Sequence, residues 1–197
     1  MTDHIHYKLY KPFGMLSQLS SNDPKQIRKK RFLSELFKFP KAIMPIGRLD
    51  EKSEGLLLMT TDGVLSDTIN RSGIEKEYYA QVDGLISDEA IEKIKSGVVI
   101  GIGGDKYMTK PCIIQKIPSP ELPKPSIKLR IGVHRPTSWV SITLREGKFR
   151  QVRKMTAAVG YPTVRLIRIR IGAVNLEGLL PGQIEKFDHL PEVIQKK

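Results

Sequence analysis

An uninterrupted apolar run, residues 56–59, lies directly behind a charged loop in the stretch PIGRLDEKSEGLLLMTTDG, residues 45–63. Gly55 and Thr60 bound the run on its two sides. Four large apolar residues in succession leave no polar side on a strand, so the run predicts a strand that is buried on both of its faces. A fold that contains such a strand must cover it from both sides, which constrains the arrangement of everything around it.

The segments around this strand predict an α+β fold rather than a repeated βαβ unit. Further strand-like sequence is found in residues 5–12, 78–84, 139–144 and 165–172. Short helices are predicted after Asp62, which is a suitable N-cap, and between Ser87, a second cap, and Gly97, a typical helix stop.

Two segments are rich in turn-forming residues. Residues 118–125 hold four of the thirteen prolines, which excludes a central strand and predicts a long exposed loop between strands. Residues 101–106, GIGGDK, are rich in glycine but lack the Lys-Ser/Thr pair and the helix of a phosphate-binding loop. They are therefore predicted to form a turn.

Charge indicates what the chain binds. Its 33 Lys and Arg residues against 21 Asp and Glu give a formal net charge of +12, which favours a nucleic-acid partner over a merely basic soluble protein. Residues 145–170 hold eight basic residues and one acid, Glu146, and residues 28–31 read Arg-Lys-Lys-Arg. In the last strand Arg168 and Arg170 share a face, which is expected to meet solvent or a polyanion.

Several kinds of site and setting are not expected. The four histidines are scattered, Cys112 is the single cysteine, and neither HExxH nor CxxC spacing occurs, so no metal site is predicted. The N-terminal residues lack the features of a signal peptide, and no apolar run approaches the length of a membrane span. We therefore expect a soluble cytoplasmic protein whose chemistry depends on carboxylates, tyrosines and arginines.

The segment GRLD, residues 47–50, is the first candidate for that chemistry. In an extended segment, residues two apart point to the same face, so Arg48 and Asp50 are expected on one side with Leu49 turned inward. On the residues alone, Asp50 is either a catalytic carboxylate or an ordinary surface turn residue.

A helix that starts at about Phe149 is the second candidate. Its inner face is predicted to carry Val152, Met155 and Val159. The opposite face carries Arg150, Arg153 and Lys154. This basic face either contacts phosphate groups or takes part in catalysis.

These segments occur together in one known family. GRLDEKSEGLLLMTTDG, residues 47–63, resembles the active-site motif of the pseudouridine synthases of the RsuA/RluB/E/F branch. Four further matches follow in the family's order: KPFG at 11–14, KEY at 76–78, EGKFRQVRKM at 146–155 and RLIRIRIGAVNLEGLLPG at 165–182. Residues 136–168 are most similar to the RluE type, which modifies large-subunit ribosomal RNA.

The resemblance implies a pseudouridine synthase fold of the α+β class, with a mixed, mostly antiparallel central sheet, flanking helices and a basic active-site cleft. It implies a single catalytic domain, residues 5–190, with two lobes around one cleft, and a C-terminal tail, residues 191–197. Because the Lys-Pro motif begins at residue 11, no S4-type RNA-binding module is expected ahead of it, as in members of the RluE type.

The resemblance also implies an enzyme, an isomerase that converts a specific uridine of 23S ribosomal RNA to pseudouridine. The reaction breaks the N1–C1′ bond, turns the base and joins C5 to C1′, and it uses no cofactor. The expected partner is large-subunit ribosomal RNA or a pre-ribosomal particle, no membrane is involved, and the protein is expected to be a monomer.

Roles for individual residues follow from the matched motifs. Asp50 would be the essential carboxylate, Tyr78 would line the pocket against the base, and Arg153 would pair with Asp50. Arg48 would help to hold the place that the flipped nucleotide leaves. RNA contacts are assigned to the basic residues Lys76, Lys148, Arg150, Lys154, Arg168 and Arg170.

The chain departs from the family pattern beside the second candidate segment. Phe149 stands where Asn is frequent, and Lys148 and Lys154 replace common arginines. Charge is kept at both lysines, so we expect activity to be kept and the preference among RNA targets to shift.

Two other functions stay open on the residues alone. One is an RNA-binding or ribosome-assembly protein that has the same scaffold but no catalysis. The other is a nucleoside hydrolase that uses Asp50 with Glu51 or Glu54. A hydrolase would release free uracil, whereas an isomerase leaves the mass of the RNA unchanged.

Overall fold

The computed structural model of the protein describes residues 4–125 and 136–187, together with Leu190 and Ile194. Apart from Ile194, the expected tail, residues 191–197, lies outside the described residues. The described strands are β1 (His6–Lys11), β2 (Met44–Ile46), β3 (Glu54–Thr60), β4 (Lys76–Asp83), β5 (Val99–Ile102), β6 (Asp105–Met108), β7 (Ile113–Ile117), β8 (Thr137–Leu144), β9 (Thr163–Ile171), β10 (Val174–Asn175) and β11 (Ile184–Phe187). The described α-helices are α1 (Pro24–Lys29), α2 (Gly63–Arg71), α3 (Asp88–Ser96) and α4 (Gln151–Ala158).

The chain divides into two compact units. The first unit consists of Met1–Ile74 and Arg168–Lys197, and the second consists of Glu75–Ile167. The strand pairs described within each unit are antiparallel. The predicted α+β class is thus confirmed. Among the described residues no helix has both the length and the apolar character that a membrane span needs.

The first unit is built around the apolar run that follows the charged loop. All seven residues of β3 are buried, which confirms the predicted strand. β1 pairs with β3 along its whole length and with β11 on its other side, and β2 also pairs with β3. The core around these strands contains Tyr7, Leu9, Met15, Leu33, Ile43, Leu57 and Met59.

The helices of the first unit differ in how well the sequence predicts them. α2 begins as expected, because the Asp62 carboxylate accepts a hydrogen bond from the backbone N–H of Leu65 at 2.9 Å. α1 was not predicted. It is six residues long, it buries none of them, and it is capped by Asp23 with Pro24 as its first residue.

The second unit packs helices against the strands β4, β8 and β7. β4 and β8 pair over eight residues, and β7 pairs with β8 on the other edge. α3 is capped by the Ser87 hydroxyl and ends at Gly97, whose φ of 104° lies in the left-handed region. Both helix boundaries were predicted. The core here includes Val82, Ile94, Val140, Ile142 and Met155.

The two turn-rich segments contain the predicted turn and loop, although residues 101–102 and 105–106 belong to strands β5 and β6. Gly103 and Gly104 make the turn between β5 and β6, which pair as a hairpin. Residues 118–125 have no regular secondary structure. One of their carbonyl oxygens, that of Pro123, accepts a hydrogen bond from the Arg165 guanidinium at 2.8 Å.

The expectation that Arg168 faces solvent is wrong. Only 2 % of Arg168 is exposed, and its Nε donates to the carbonyl oxygen of Leu56 in β3 at 2.8 Å. Arg170 is half-buried and donates to the carbonyl oxygen of Gly172 at 2.9 Å. Alternation along a strand predicts which side chains share a face, but it does not predict whether that face is covered. The face of β9 at Arg168 is covered, and the guanidinium forms a hydrogen bond with the backbone of the neighbouring strand β3.

Candidate active site

The loop of residues 47–53, between β2 and β3, carries Arg48 and Asp50. Gly47 begins the loop with a φ of 70°, a conformation that other residues adopt only with strain. Leu49 is buried, and both of its backbone polar groups bond the buried hydroxyl of Ser17 at 2.9 Å. Arg48 is exposed and Asp50 is half-buried. The prediction that Leu49 turns inward is confirmed.

The Asp50 side of this loop is fixed by backbone hydrogen bonds. The N–H of Ser53 donates to the carbonyl oxygen of Asp50 at 3.0 Å, and the N–H of Gly14 donates to that of Glu51 at 2.8 Å. The Glu51 carboxylate also pairs with Lys30 at 2.7 Å. The loop is therefore held by the KPFG motif, residues 11–14, as well as by its own turn.

Lys11 is a buried cation beside this loop, and the sequence did not reveal it. It is fully buried, and its Nζ donates to the carbonyl oxygens of Pro12 and Met15 at 2.9 and 2.7 Å. Burial lowers the pKa of Lys11 from 10.5 to about 7, although the nearby carboxylates of Glu54 and Asp50 act in the opposite direction. No pattern in the sequence distinguishes it, because a lysine at a strand end is ordinarily exposed and its burial depends on the segments packed around it.

An open pocket lies next to Arg48 in the first unit. Its volume is about 500 Å³, within the usual range for small-molecule sites. It is lined by Ser17, Gln18, Leu19, Ser20, Ile43, Met44, Pro45, Gly47, Arg48 and Asn70. Arg48 thus borders a space that can admit part of a ligand.

Tyr78 lies in β4 of the second unit, opposite Ile142 in β8. It is half-buried and packs against the core of that unit. The ring therefore has a packed part and an accessible part. Lys76, at the start of the same strand, is also half-buried.

The second basic segment forms α4, which begins at Gln151 rather than at about Phe149. The residue before it, Arg150, has a φ of 54°, so the backbone makes a sharp left-handed step where a helix was expected. The Gln151 side chain accepts a hydrogen bond from the Lys148 N–H at 2.9 Å and donates to Glu146. These bonds fix the turn ahead of the helix.

The two faces of α4 are as predicted. Val152 and Met155 are buried, and Val159 packs against the same core. On the other face Arg153 and Lys154 are half-buried. The guanidinium of Arg153 donates from Nη1 to the carbonyl oxygen of Thr163 in β9 at 3.1 Å, which holds the end of the side chain against the strand that follows the helix.

The proposed site residues are divided between the two units. The first unit holds Arg48, Asp50, Arg168 and Arg170, and the second holds Lys76, Tyr78, Lys148, Arg150, Arg153 and Lys154. In the described ranges 4–125 and 136–187, no group of three His, Cys, Asp or Glu side chains could hold a metal ion.

Comparison with known proteins shows the family of the chain. The family model described as RNA pseudouridylate synthase matches residues 5–158. The chain is 37% identical over 175 residues to the ribosomal large subunit pseudouridine synthase E of Vibrio parahaemolyticus, covering 88% of this chain and 69% of the relative. It is 39% identical over 178 residues to the protein of the same name from Xanthomonas axonopodis pv. citri, covering 88% of each.

A solved structure gives the same result. The crystal structure of a pseudouridylate synthase superposes with a TM-score of 0.73 at 26% identity, covering 95% of this chain and 71% of that one. The match extends through both units of the fold. The chain therefore belongs to the RNA pseudouridylate synthase family.

Proposed function

We propose that this protein isomerises a specific uridine of large-subunit ribosomal RNA to pseudouridine, with Asp50 as the essential carboxylate. The observation that carries the proposal is its 37–39% identity, over 88% of the chain, to relatives named ribosomal large subunit pseudouridine synthase E. A net charge of +12 suits a polyanionic substrate. We expect the protein to act as a monomer in the cytoplasm.

The chemistry explains why one carboxylate is enough. Breaking the bond between C1′ and N1 develops oxocarbenium-like positive charge on the ribose, which a carboxylate stabilises or traps. The uracil that leaves delocalises its own negative charge and stays bound, so no second carboxylic acid is needed to protonate it. After C5 joins C1′, the proton on C5 is lost and N1 gains one. No atom is added to or removed from the RNA, and no cofactor is required.

The loop of residues 47–53 supports the role of Asp50. Its neighbour Leu49 is buried and bonded on both backbone groups by Ser17, and the carbonyl groups of Asp50 and Glu51 both accept backbone hydrogen bonds. A backbone constrained in this way presents the carboxylate with little loss of backbone ordering entropy during the reaction.

The second unit is proposed to supply the remaining contacts. Tyr78 would stack on the base and Arg153 would offset the charge of Asp50, with both units forming one catalytic domain, residues 5–190, as two lobes around one cleft. Flipping a nucleotide out of its stack costs a few kcal/mol, which stacking and phosphate contacts would offset. The phosphate contacts are assigned to Lys76, Lys148, Arg150, Lys154 and Arg170. Arg168 is left out because it is buried in the fold.

The test is chemical mapping of pseudouridine in ribosomal RNA from cells with and without the gene for this protein. We expect one uridine of 23S RNA to lose its modification in the deletion strain, and the wild-type gene but not Asp50→Asn to restore it. An RNA-binding protein without catalysis would leave every pseudouridine in place. A hydrolase would leave an abasic site and free uracil, and either result would overturn the proposal.

A further inference from the structure

Phe149 is an exposed aromatic residue in the most basic part of the chain. It is 69% exposed and lies between Lys148 and Arg150, directly before α4. A single exposed apolar side chain is common in proteins and requires no function. The surroundings of this one, however, are specific.

Two lysines lie over two aromatic rings at this place. The Nζ of Lys154 is 5.1 Å from the centroid of the Phe149 ring, and the Nζ of Lys148 is 4.8 Å from that of Tyr107. Both distances are within the range of cation–π attraction. We call this set, Tyr107, Lys148, Phe149 and Lys154, the aromatic-lysine platform.

The platform is held in one arrangement by hydrogen bonds. Lys154 Nζ also donates to the carbonyl oxygen of Gly101 at 2.6 Å, so it connects α4 to the β5–β6 hairpin. The Tyr107 hydroxyl donates to Glu146 at 2.6 Å. The backbone N–H of Lys148 donates to the Gln151 side chain, and Arg150 takes up a left-handed conformation. These contacts fix the backbone on both sides of Phe149.

Lys154 lies over the Phe149 ring, and 69% of the residue is exposed to solvent. An exposed aromatic ring with positive charges held beside it suits a nucleotide, because the base stacks on the ring and the phosphate meets the lysines. The acid beside the platform, Glu146, accepts hydrogen bonds from Tyr107, Gln151 and the backbone N–H of Lys110, so its carboxylate oxygens are already engaged.

We propose that Phe149 is a stacking residue for an unpaired nucleotide of the RNA substrate outside the flipped uridine. This inference rests on the proposed function, because it assumes an RNA substrate. It assigns to Phe149 a part in target choice that the rest of the basic surface does not supply. Charge attracts any RNA, whereas stacking selects RNA with an unpaired base at the right place.

The test compares the affinity of the purified full chain for two fluorescein-labelled RNAs, a mixed-sequence single strand and a hairpin duplex of equal length, over a range of salt concentrations. Phe149→Ala should weaken single-strand binding by about 5- to 150-fold. It should leave the slope of log K against log salt unchanged, because no counterion is released by stacking. Binding to the duplex should change little.

Two variants complete the design. Lys148→Ala should reduce the single-strand salt slope by about 0.7, the value for one lost phosphate contact. Phe149→Tyr should keep wild-type affinity, because it retains the ring. The matched control is Leu85→Ala, since Leu85 is 67% exposed in the same unit but has Asp83 and Asp88 as its nearest charged neighbours in sequence.

Unchanged single-strand affinity in Phe149→Ala would overturn the proposal, and so would an equal loss for the duplex or an equal loss in Leu85→Ala. These results are independent of the catalytic proposal. If Phe149→Ala binds normally while the deletion strain lacks one pseudouridine, the stacking role fails and the proposed function stands. If Phe149→Ala weakens single-strand binding but the deletion strain loses no pseudouridine, the stacking role stands and the proposed function fails.

Discussion

Lys11 carries its ammonium group into the interior of the first unit, where the carbonyl oxygens of Pro12 and Met15 accept its hydrogen bonds. Removing a charge from water is costly, and here the cost is only partly offset by Glu54 and Asp50. The residue fixes the turn whose Gly14 N–H in turn holds the carbonyl of Glu51. A single side chain thus connects the KPFG motif to the loop that presents Asp50.

The lowered pKa of Lys11 makes a prediction about stability. Between pH 7, near the pKa of the folded state, and 10.5, the ordinary value, the unfolded chain binds more protons at this residue than the folded chain does. The free energy of unfolding should therefore rise with pH across that window, and this contribution should be constant below it. Between pH 7 and 9.5 we expect wild type to gain on the order of 3 kcal/mol relative to Lys11→Met.

Urea unfolding at a series of pH values measures this difference. Lys8→Met, which removes a lysine from the same strand, controls for the loss of one positive charge. If the difference in unfolding free energy between wild type and Lys11→Met stays constant from pH 6.5 to 9.5, then Lys11 has the same charge in the folded and unfolded states and the prediction is wrong.

The role of Asp50 predicts a separation of binding from turnover. Asp50→Asn keeps the size and polarity of the side chain but cannot stabilise positive charge, so we expect RNA affinity within about twofold of wild type and pseudouridine formation lower by about a thousandfold or more. Tritium release from C5-labelled uridine in RNA measures the rate. Glu51→Gln is the matched control and should remain active, whereas an equal loss of pseudouridine formation in Glu51→Gln would show that the effect is not specific to Asp50.

At the scale of elements, the sequence predicted regular structure wherever its apolar pattern was clear. The apolar run predicted β3, whose residues are all buried. For α2 and α3 an apolar face was combined with the capping residues Asp62, Ser87 and Gly97. α1 buries no residue, so it left no periodicity to detect.

The sequence predicted which motifs form the candidate site, but it did not predict the burial and backbone conformation of the individual residues in them. The inner face of α4 was correct, while its start was wrong by two residues because Arg150 adopts a left-handed conformation that periodicity does not encode. Arg168 was placed on the right strand but in the wrong surroundings, and Lys11 was recognised only as part of a motif. Burial on a given strand face depends on which strands and helices cover it, and a single sequence does not specify that.

The turn before α4 predicts a measurable cost for removing its anchor. Gln151 is buried and bonds both the Lys148 N–H and the Glu146 carboxylate, so Gln151→Ala leaves two polar groups with one partner fewer. We expect the free energy of unfolding to fall by about 1–3 kcal/mol in urea titrations. Glu92→Ala removes an exposed ion pair with Lys95 and should change the free energy of unfolding by no more than about 1 kcal/mol. Equal effects of the two variants would mean that the hydrogen bonds of Gln151 stabilise the fold no more than an exposed ion pair does.

At the scale of the whole molecule, some basic residues form ion pairs with carboxylates and others lie exposed. Within the cluster of residues 28–31, Lys30 pairs with Glu51 and Arg31 pairs with Glu35. Arg28 and Lys29 lie exposed at the end of α1. Within the described residues, Arg28 and Lys29 are therefore the two cations of this cluster that we expect to contact RNA.

The double variant Arg28→Ala/Lys29→Ala should therefore weaken RNA binding and flatten its salt dependence. Two lost phosphate contacts reduce the slope of log K against log salt by about 1.4 for single-stranded RNA. Fluorescence anisotropy between 50 and 300 mM salt (about the range in which such contacts are screened) measures it. The control is Lys93→Ala, which should keep the wild-type slope because the ammonium group of Lys93 pairs with Glu89. An unaltered slope in the double variant would show that α1 is not part of the RNA-binding surface.

The first unit is assembled from both ends of the chain, and this imposes an order on its synthesis. β1 takes one of its two partners from β11, at residues 184–187, whereas all strands of the β4–β8–β7 group lie within residues 75–167. At a translation rate of about 5–20 residues per second, the ribosome needs roughly 9–35 seconds to travel from β1 to β11. Throughout that interval the nascent β1 lacks the partner on one of its edges, whereas β4, β7 and β8 have all been translated by residue 144, before β11 is made. β1 is thus translated before all the other strands described here but is among the last to be fully paired, because its β11 partner is made only after β2 to β10.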